Sequence, residues 1–201
     1  MCGKYFINQE LLYDLRKQFP EIGTADSGLL PGDAEKTDIV PGMNVPVLYC
    51  SGGRTVCSPM TWGFPDVYES GQLVINARAE TLTEKPMFRD AAQFHRCAVP
   101  AAGFYEWTAQ KEQVSYIWEK MPEIFLGAVF RMIRGSLRFV IVTREANASV
   151  RDVHGRMPLV LDLRDAIRWL GRQKEAADVL NQELPQMKEH RAAGRSQLSF
   201  L

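Results

Sequence analysis

The cysteine at position two, in Met1-Cys2-Gly3-Lys4, can acquire a chemistry closed to any internal cysteine. Initiator methionine is usually removed when the next residue is small, and Cys2 then carries a thiol and a free α-amine two carbons apart. The amine has an ordinary pKa of about 7.7–8.0, so a useful fraction is neutral and nucleophilic near neutral pH. The thiol titrates near about 8.5 and responds to its neighbours. Such a 1,2-aminothiol condenses with an aldehyde to a Schiff base, and the sulfur then closes a five-membered thiazolidine. The plainer reading, that Cys2 is merely the second residue of an untethered terminus, is open on these four residues alone.

Four further polar residues stand where apolar runs end, the places where a rigid scaffold presents functional groups. Asn76 and Arg78 follow Leu73-Val74-Ile75. Glu106 sits between aromatics in Gly103-Phe104-Tyr105-Glu106-Trp107, and His154 precedes an apolar strand in Val153-His154-Gly155-Arg156-Met157-Pro158. Each also has an ordinary reading: a turn amide, a surface cation, a solvent-facing carboxylate, a satisfied loop histidine. As a set they suit an aminothiol. Schiff-base formation needs an acid to expel water, and ring closure needs a base for the thiol proton, work that a Glu and a His divide. An Asn can hold an amine or oxyanion, and an Arg can clamp a phosphate bidentately. A Glu106 buried by its aromatic neighbours has its pKa raised, as proton transfer requires.

The chain that positions these groups has 201 residues, the length of one domain, taken here as residues 1–201. No apolar run is long enough for a transmembrane helix and no signal-peptide pattern opens the chain, so a cytoplasmic protein without membrane association is expected. The four cysteines and three histidines lack metal-ligand spacing: there is no C-x2-C or H-x3-H pair. Free thiols are expected, with Cys97 in the core, and neither metal nor cofactor. The formal net charge is zero, so nucleic-acid binding would need a local basic face.

Periodicity predicts a helix over 7–19 with Asn8 as N-cap and Pro20 as stop, then a loop over 20–37. A hairpin is expected from 45–49 and 55–62 around Ser51-Gly52-Gly53-Arg54. A loop over 65–71, a short strand over 73–75 and a helix over 85–95 follow, the helix packing through Met87, Phe88, Ala91 and Phe94. Four strands in an antiparallel meander are expected over 97–107, 114–119, 124–132 and 137–143. A short helix over 146–153, a strand over 157–161, a helix capped by Asp162 and ended by Gly171, and one more helix in the tail complete the pattern. The order argues for α+β, with a curved, barrel-like antiparallel sheet flanked by helices.

Met1-Cys2-Gly3-Lys4, Trp62-Gly63-Phe64-Pro65, Ile75-Asn76-Ala77-Arg78-Ala79-Glu80-Thr81, Gly103-Phe104-Tyr105-Glu106-Trp107 and His154-Gly155-Arg156-Met157-Pro158 resemble, in order and over nearly the whole chain, the SRAP (SOS response-associated peptidase) family. The resemblance implies a single-domain α+β fold on a barrel-like sheet and recognition of abasic sites in single-stranded DNA, by a monomer acting in the DNA damage (SOS) response. It implies a thiazolidine DNA–protein crosslink through Cys2, with Asn76 positioning the reacting groups and Glu106 and His154 moving protons. It further implies a peptidase-like self-removal of Met1 and lyase behaviour at the abasic site. Lys4, Pro41, Tyr68, Arg78 and Arg156 fall at the DNA-contacting positions. The chain departs from the family pattern at Lys4, usually Arg; in the loop after Trp62, where Val67, Tyr68 and Glu69 replace tryptophans; at Asp38-Ile39-Val40-Pro41-Gly42; and at Gly155, usually Asp.

Two other readings stay open on the residues. Met-Cys-Gly also opens glutamine amidotransferases of the N-terminal-nucleophile class, in which Cys2 attacks and its own amine is the base. A non-catalytic single-stranded nucleic-acid binder could stack bases on Trp62, Tyr68, Tyr105 and Trp107.

Overall fold

The computed structural model describes residues 2–18, 35–66 and 71–191. Strand β1 (Tyr5–Asn8) leads directly into helix α1 (Gln9–Gln18). The expected cap is present, Asn8 Oδ1 accepting from the Leu11 N–H at 2.9 Å, but residues 7 and 8 belong to the strand rather than the helix. Leu11 and Leu15 are buried, as the apolar stripe requires; Phe19 and Pro20 lie outside the described residues. Next come β2 (Lys36–Ile39), which takes residues 36 and 37 out of the expected loop, and the hairpin β3 (Asn44–Ser51) and β4 (Arg54–Trp62). Ser51 pairs with Arg54 across Gly52 and Gly53, both at positive φ, the turn that glycine admits without strain.

Two-residue strands β5 (Phe64–Pro65) and β6 (Leu73–Val74) pair with each other, and β7 (Asn76–Arg78) runs into a 3₁₀ turn over Ala79–Thr81. Helix α2 (Arg89–Phe94) is shorter than expected, and Phe94 is 68% exposed instead of packed. The expected long strand over 97–107 is two strands, β8 (Arg96–Ala101) and β9 (Gly103–Trp107), which turn a corner at Ala102 and enter different sheets. Strands β10 (Gln113–Ile117), β11 (Ile124–Ile133), β12 (Ser136–Glu145), β13 (Arg156–Pro158) and β14 (Val160–Leu161) follow. Residues 146–153 form turns rather than a helix.

Helix α3 (Leu163–Leu170) is capped by Asp162 Oδ1, which accepts from the Asp165 N–H at 2.7 Å, and ends at Gly171. Helix α4 (Gln173–Asn181) precedes a final strand, β15 (Lys188–Arg191), where helix was expected to continue. Arg96 ties this corner together: its guanidinium donates to the carbonyls of Trp169 at 2.7 Å, Ala92 at 2.8 Å and Gly171 at 2.7 Å.

The pairings β12–β4, β4–β3, β3–β8, β8–β11 and β11–β12 close five strands into a ring. The expected barrel-like sheet is therefore present, with one difference: β4 and β7 both run parallel to β12. The first seven residues of β11 are all buried, because the ring interior lies on one face and α2 and α3 pack on the other. A second, antiparallel sheet runs β15-β10-β9-β1-β2. The meander thus breaks after β10, which pairs with β9 and β15 and not with β11.

Candidate active site

Cys2 reaches the site by extension of β1. Tyr5 pairs with Phe104, and the Tyr105 N–H donates to the Lys4 carbonyl at 3.0 Å, so the first residues run beside the end of β9. Strand alternation turns Phe104 and Glu106 inward and Tyr105 outward to a small separate cluster with Phe6 and Ala102. Cys2 is fully buried and Glu106 is 1% exposed.

Asn76 comes from β7, held beside β12 by the pairing of Asn76 with Ile141. Its Nδ2 donates to the Cys2 carbonyl at 2.8 Å, and its Oδ1 is buried without a hydrogen-bond partner. His154 stands before β13; its Nδ1 lies 3.8 Å from Glu106 Oε2 and 3.0 Å from both the N–H and the carbonyl of Arg156. At 3.8 Å the His154–Glu106 contact is electrostatic rather than a hydrogen bond. The four expected catalytic side chains, from four separate segments, therefore meet.

Burial sets the site's acidity. It pushes the Glu106 carboxyl above the usual carboxylate range, with His154 pulling the other way. Burial, and then the negative charge of Glu106, push the Cys2 thiol well up. The Sγ has a weak contact with the Lys4 carbonyl at 3.8 Å. The arrangement makes the Glu106 carboxyl easier to protonate than a free one and sets it beside an imidazole that can exchange the proton. Among the described residues no cluster of three His, Cys, Asp or Glu could hold a metal ion, and all four cysteines are free.

The expected DNA-contacting residues are placed more variously. Arg78 is exposed, on the same face of β7 as Asn76. Lys4 is engaged: its Nζ lies 2.7 Å from Asp38 Oδ2 and 4.8 Å from the centroid of the Tyr105 ring. Burial alone would raise the Asp38 carboxyl, but hydrogen bonds from Lys4 and Tyr105 and the charges of Lys4 and Lys36 hold it below the usual range. Pro41 is half-buried in the turn before Gly42. Arg156 grips Glu80 with both Nη atoms, at 2.8 and 2.9 Å. Tyr68 lies outside the described residues. Of the proposed stacking aromatics, Trp62 is core: it is fully buried, its Nε1 donates to the Ile75 carbonyl at 2.9 Å and its ring stacks on Phe139. Tyr105 is 4% exposed, so neither offers a face to a base.

Two partners were missed from the sequence, Asp38 and Glu80. Both stood inside quoted motif blocks, and each sits in sequence beside or near a residue already singled out, but only the fold brings a cation to them.

Residues 1–196 match the family described as SOS response associated peptidase (SRAP). The chain is 29% identical over 194 residues to the abasic site processing protein YobE of Bacillus subtilis, covering 90% of this chain and 86% of that protein. It is 28% identical over 189 residues to the abasic site processing protein YedK of Escherichia coli, covering 89% and 85%. In structure it resembles a protein from Bacteroides thetaiotaomicron, with a TM-score of 0.75 at 19% identity over 96% of this chain and 93% of that one. A phage-related protein from Bordetella bronchiseptica gives 0.73 at 22% identity over 95% and 94%; at these identities the likeness concerns the fold alone. The chain belongs to the SOS response associated peptidase family.

Proposed function

We propose that this protein binds abasic sites in single-stranded DNA and captures them covalently through Cys2 once Met1 has been removed. The observation that carries the reading is the meeting of Cys2, Asn76, Glu106 and His154 around one buried terminus, with Asn76 Nδ2 donating to the Cys2 carbonyl at 2.8 Å. The names of the relatives, abasic site processing proteins, support the same substrate.

The ring-opened deoxyribose of an abasic site presents an aldehyde. The Cys2 amine adds to its carbon, and water leaves with a proton from the acid form of Glu106, which burial favours. The Cys2 sulfur then adds to the iminium carbon, its proton passing by way of His154 to the nitrogen, and the thiazolidine closes. The iminium nitrogen also places a positive charge beside the thiol and lowers its pKa from the high value that burial imposes. The Schiff base acidifies the adjacent 2′ proton, so β-elimination of the 3′ phosphate is the accompanying lyase reaction. Removal of Met1 by Cys2 itself would be the peptidase-like step.

The test is denaturing electrophoresis of the protein mixed with a single-stranded oligonucleotide carrying an abasic site, with intact-mass analysis of the free protein. A shifted band is expected for the wild type and none for Cys2→Ala. Failure of the wild type to shift with Met1 already absent overturns the reading. Salt-sensitive binding without a covalent band would then favour a non-covalent binder.

A further inference from the structure

Glu80 has no role in the capture chemistry described above, yet it connects to it. It lies in the 3₁₀ turn that follows β7, two residues beyond Arg78, and its carboxylate accepts from Arg156 Nη1 at 2.8 Å and Nη2 at 2.9 Å. Arg156 Nη2 also reaches Thr143 Oγ1 at 3.3 Å. Thr143 belongs to β12, where it is paired with Arg78 of β7 on one side and Pro158 of β13 on the other. The pair therefore crosses β12 and fastens the end of β7 to the start of β13. A bidentate Arg–carboxylate pair fixes the plane of the guanidinium as well as its position, and the Arg156 grip in turn holds the Glu80 carboxyl below its ordinary pKa.

What β13 presents at that point is the main chain around His154. The backbone N–H and the carbonyl of Arg156 each lie 3.0 Å from His154 Nδ1. One is a donor and the other an acceptor. In a neutral ring with its proton on Nε2, Nδ1 accepts from the Arg156 N–H. In the cationic ring Nδ1 carries a proton and donates to the Arg156 carbonyl. Either state finds its partner without a shift of the ring, and Glu106, 3.8 Å away from the same nitrogen, faces both. A proton-transfer group held this way gains and loses its proton with little reorganisation.

We propose that Glu80 is a positioning residue: by gripping Arg156 it holds the Arg156 main chain, and through it the His154 imidazole, in one place in both protonation states. The consequence for rate rests on the aldehyde-capture reading; the positioning itself exists in the free protein. It also means that the Arg156 guanidinium serves the site from behind, with Glu80 as its partner, and that a DNA phosphate would have to compete for it.

Imidazole ¹⁵N spectra of the free protein test this directly, compared between wild type, Glu80→Ala and Glu80→Gln, beside crosslinking kinetics at saturating abasic oligonucleotide. In wild type at alkaline pH, His154 should be a single tautomer with the proton on Nε2. Glu80→Ala should give averaged nitrogen shifts of mixed tautomers and crosslink at least about tenfold more slowly with DNA affinity undiminished. Glu80→Gln keeps one acceptor for Arg156 and should recover part of both. Glu80 is half exposed, so folded variants are expected and melting temperatures check them; if Glu80→Ala unfolds, Glu80→Gln against wild type carries the comparison. An unchanged tautomer in the folded variant, or a slower reaction explained wholly by weaker DNA binding, overturns the proposal. Should wild type form no crosslink, the capture reading fails while the tautomer result still decides the role of Glu80.

Discussion

Asn76 and Cys2, 74 positions apart in sequence, are joined by a 2.8 Å hydrogen bond from the Asn76 amide to the Cys2 carbonyl. The bond anchors a terminal residue that β1 pairing alone leaves free, since the β1–β9 register is formed at Tyr5 and Phe6. Asn76→Ala removes this anchor and should slow crosslinking by about 10-fold or more, because misplacement of a reacting group is costly. Its effect on stability should be only about 1 kcal/mol. Single-turnover crosslinking and chemical denaturation, read together, separate the two. A loss of rate no larger than the loss of folded protein would contradict the anchoring role.

Lys4 and Asp38 make the second prediction. With its Nζ 2.7 Å from Asp38, Lys4 approaches DNA already partnered. Asp38→Asn should release the cation, tighten binding of single-stranded DNA at low salt and steepen the dependence of log affinity on log salt by about 0.7, the value of one further phosphate contact. Lys4→Ala in the Asp38→Asn background should cancel the gain. Fluorescence anisotropy across a salt series measures both slopes.

A carboxyl pair far from the site gives the third. Glu123, just before β11, shares a hydrogen bond with Asp14 of α1. Burial first, then Asp14 and the charge of Glu10, push its pKa up to about 7 from an ordinary 4.5. The folded state therefore binds a proton more readily than the unfolded chain. This contribution is fully present below pH about 4.5 and is lost as pH rises through about 7. Wild type should thus lose melting temperature, relative to Glu123→Gln, between pH 5 and pH 8. Parallel melting curves for the two proteins would refute the shared proton.

Two glycines should respond in opposite ways. A Cβ on Gly103 would lie 2.3 Å from the Tyr116 carbonyl oxygen and 2.5 Å from Phe6 Cζ, and the backbone oxygen cannot move aside. Gly103→Ala should destabilise by on the order of 3 kcal/mol. At Gly155 a Cβ meets nothing within 4 Å and φ is not positive. Gly155→Asp, which restores the residue expected from the family pattern, should stay within about 0.5 kcal/mol of wild type. Urea denaturation of both variants checks the contrast.

The sequence by itself determined the reactive residue types, the local turns and the ends of several elements. Cys2 at position two, the Asn8 and Asp162 caps and the Gly52-Gly53 hairpin depend on neighbours within a few residues, and such short-range chemistry is written in the chain. The α+β class and the barrel-like sheet followed from the spacing of apolar runs. Tertiary structure decided what periodicity cannot encode. The stretch over 97–107 runs without a polar residue through Ala102, yet there the chain leaves one sheet for another, because β8 finds β3 and β11 while β9 finds β1 and β10. Lys188–Arg191 became a strand because β10 offered it an open edge. Charge partners were equally hidden: Lys4 and Arg156 were expected at DNA-contacting positions, and only folding delivers Asp38 and Glu80 to them. Side-chain type is a local property, whereas burial and ionic partnership depend on residues that are distant along the chain and meet only in the folded state.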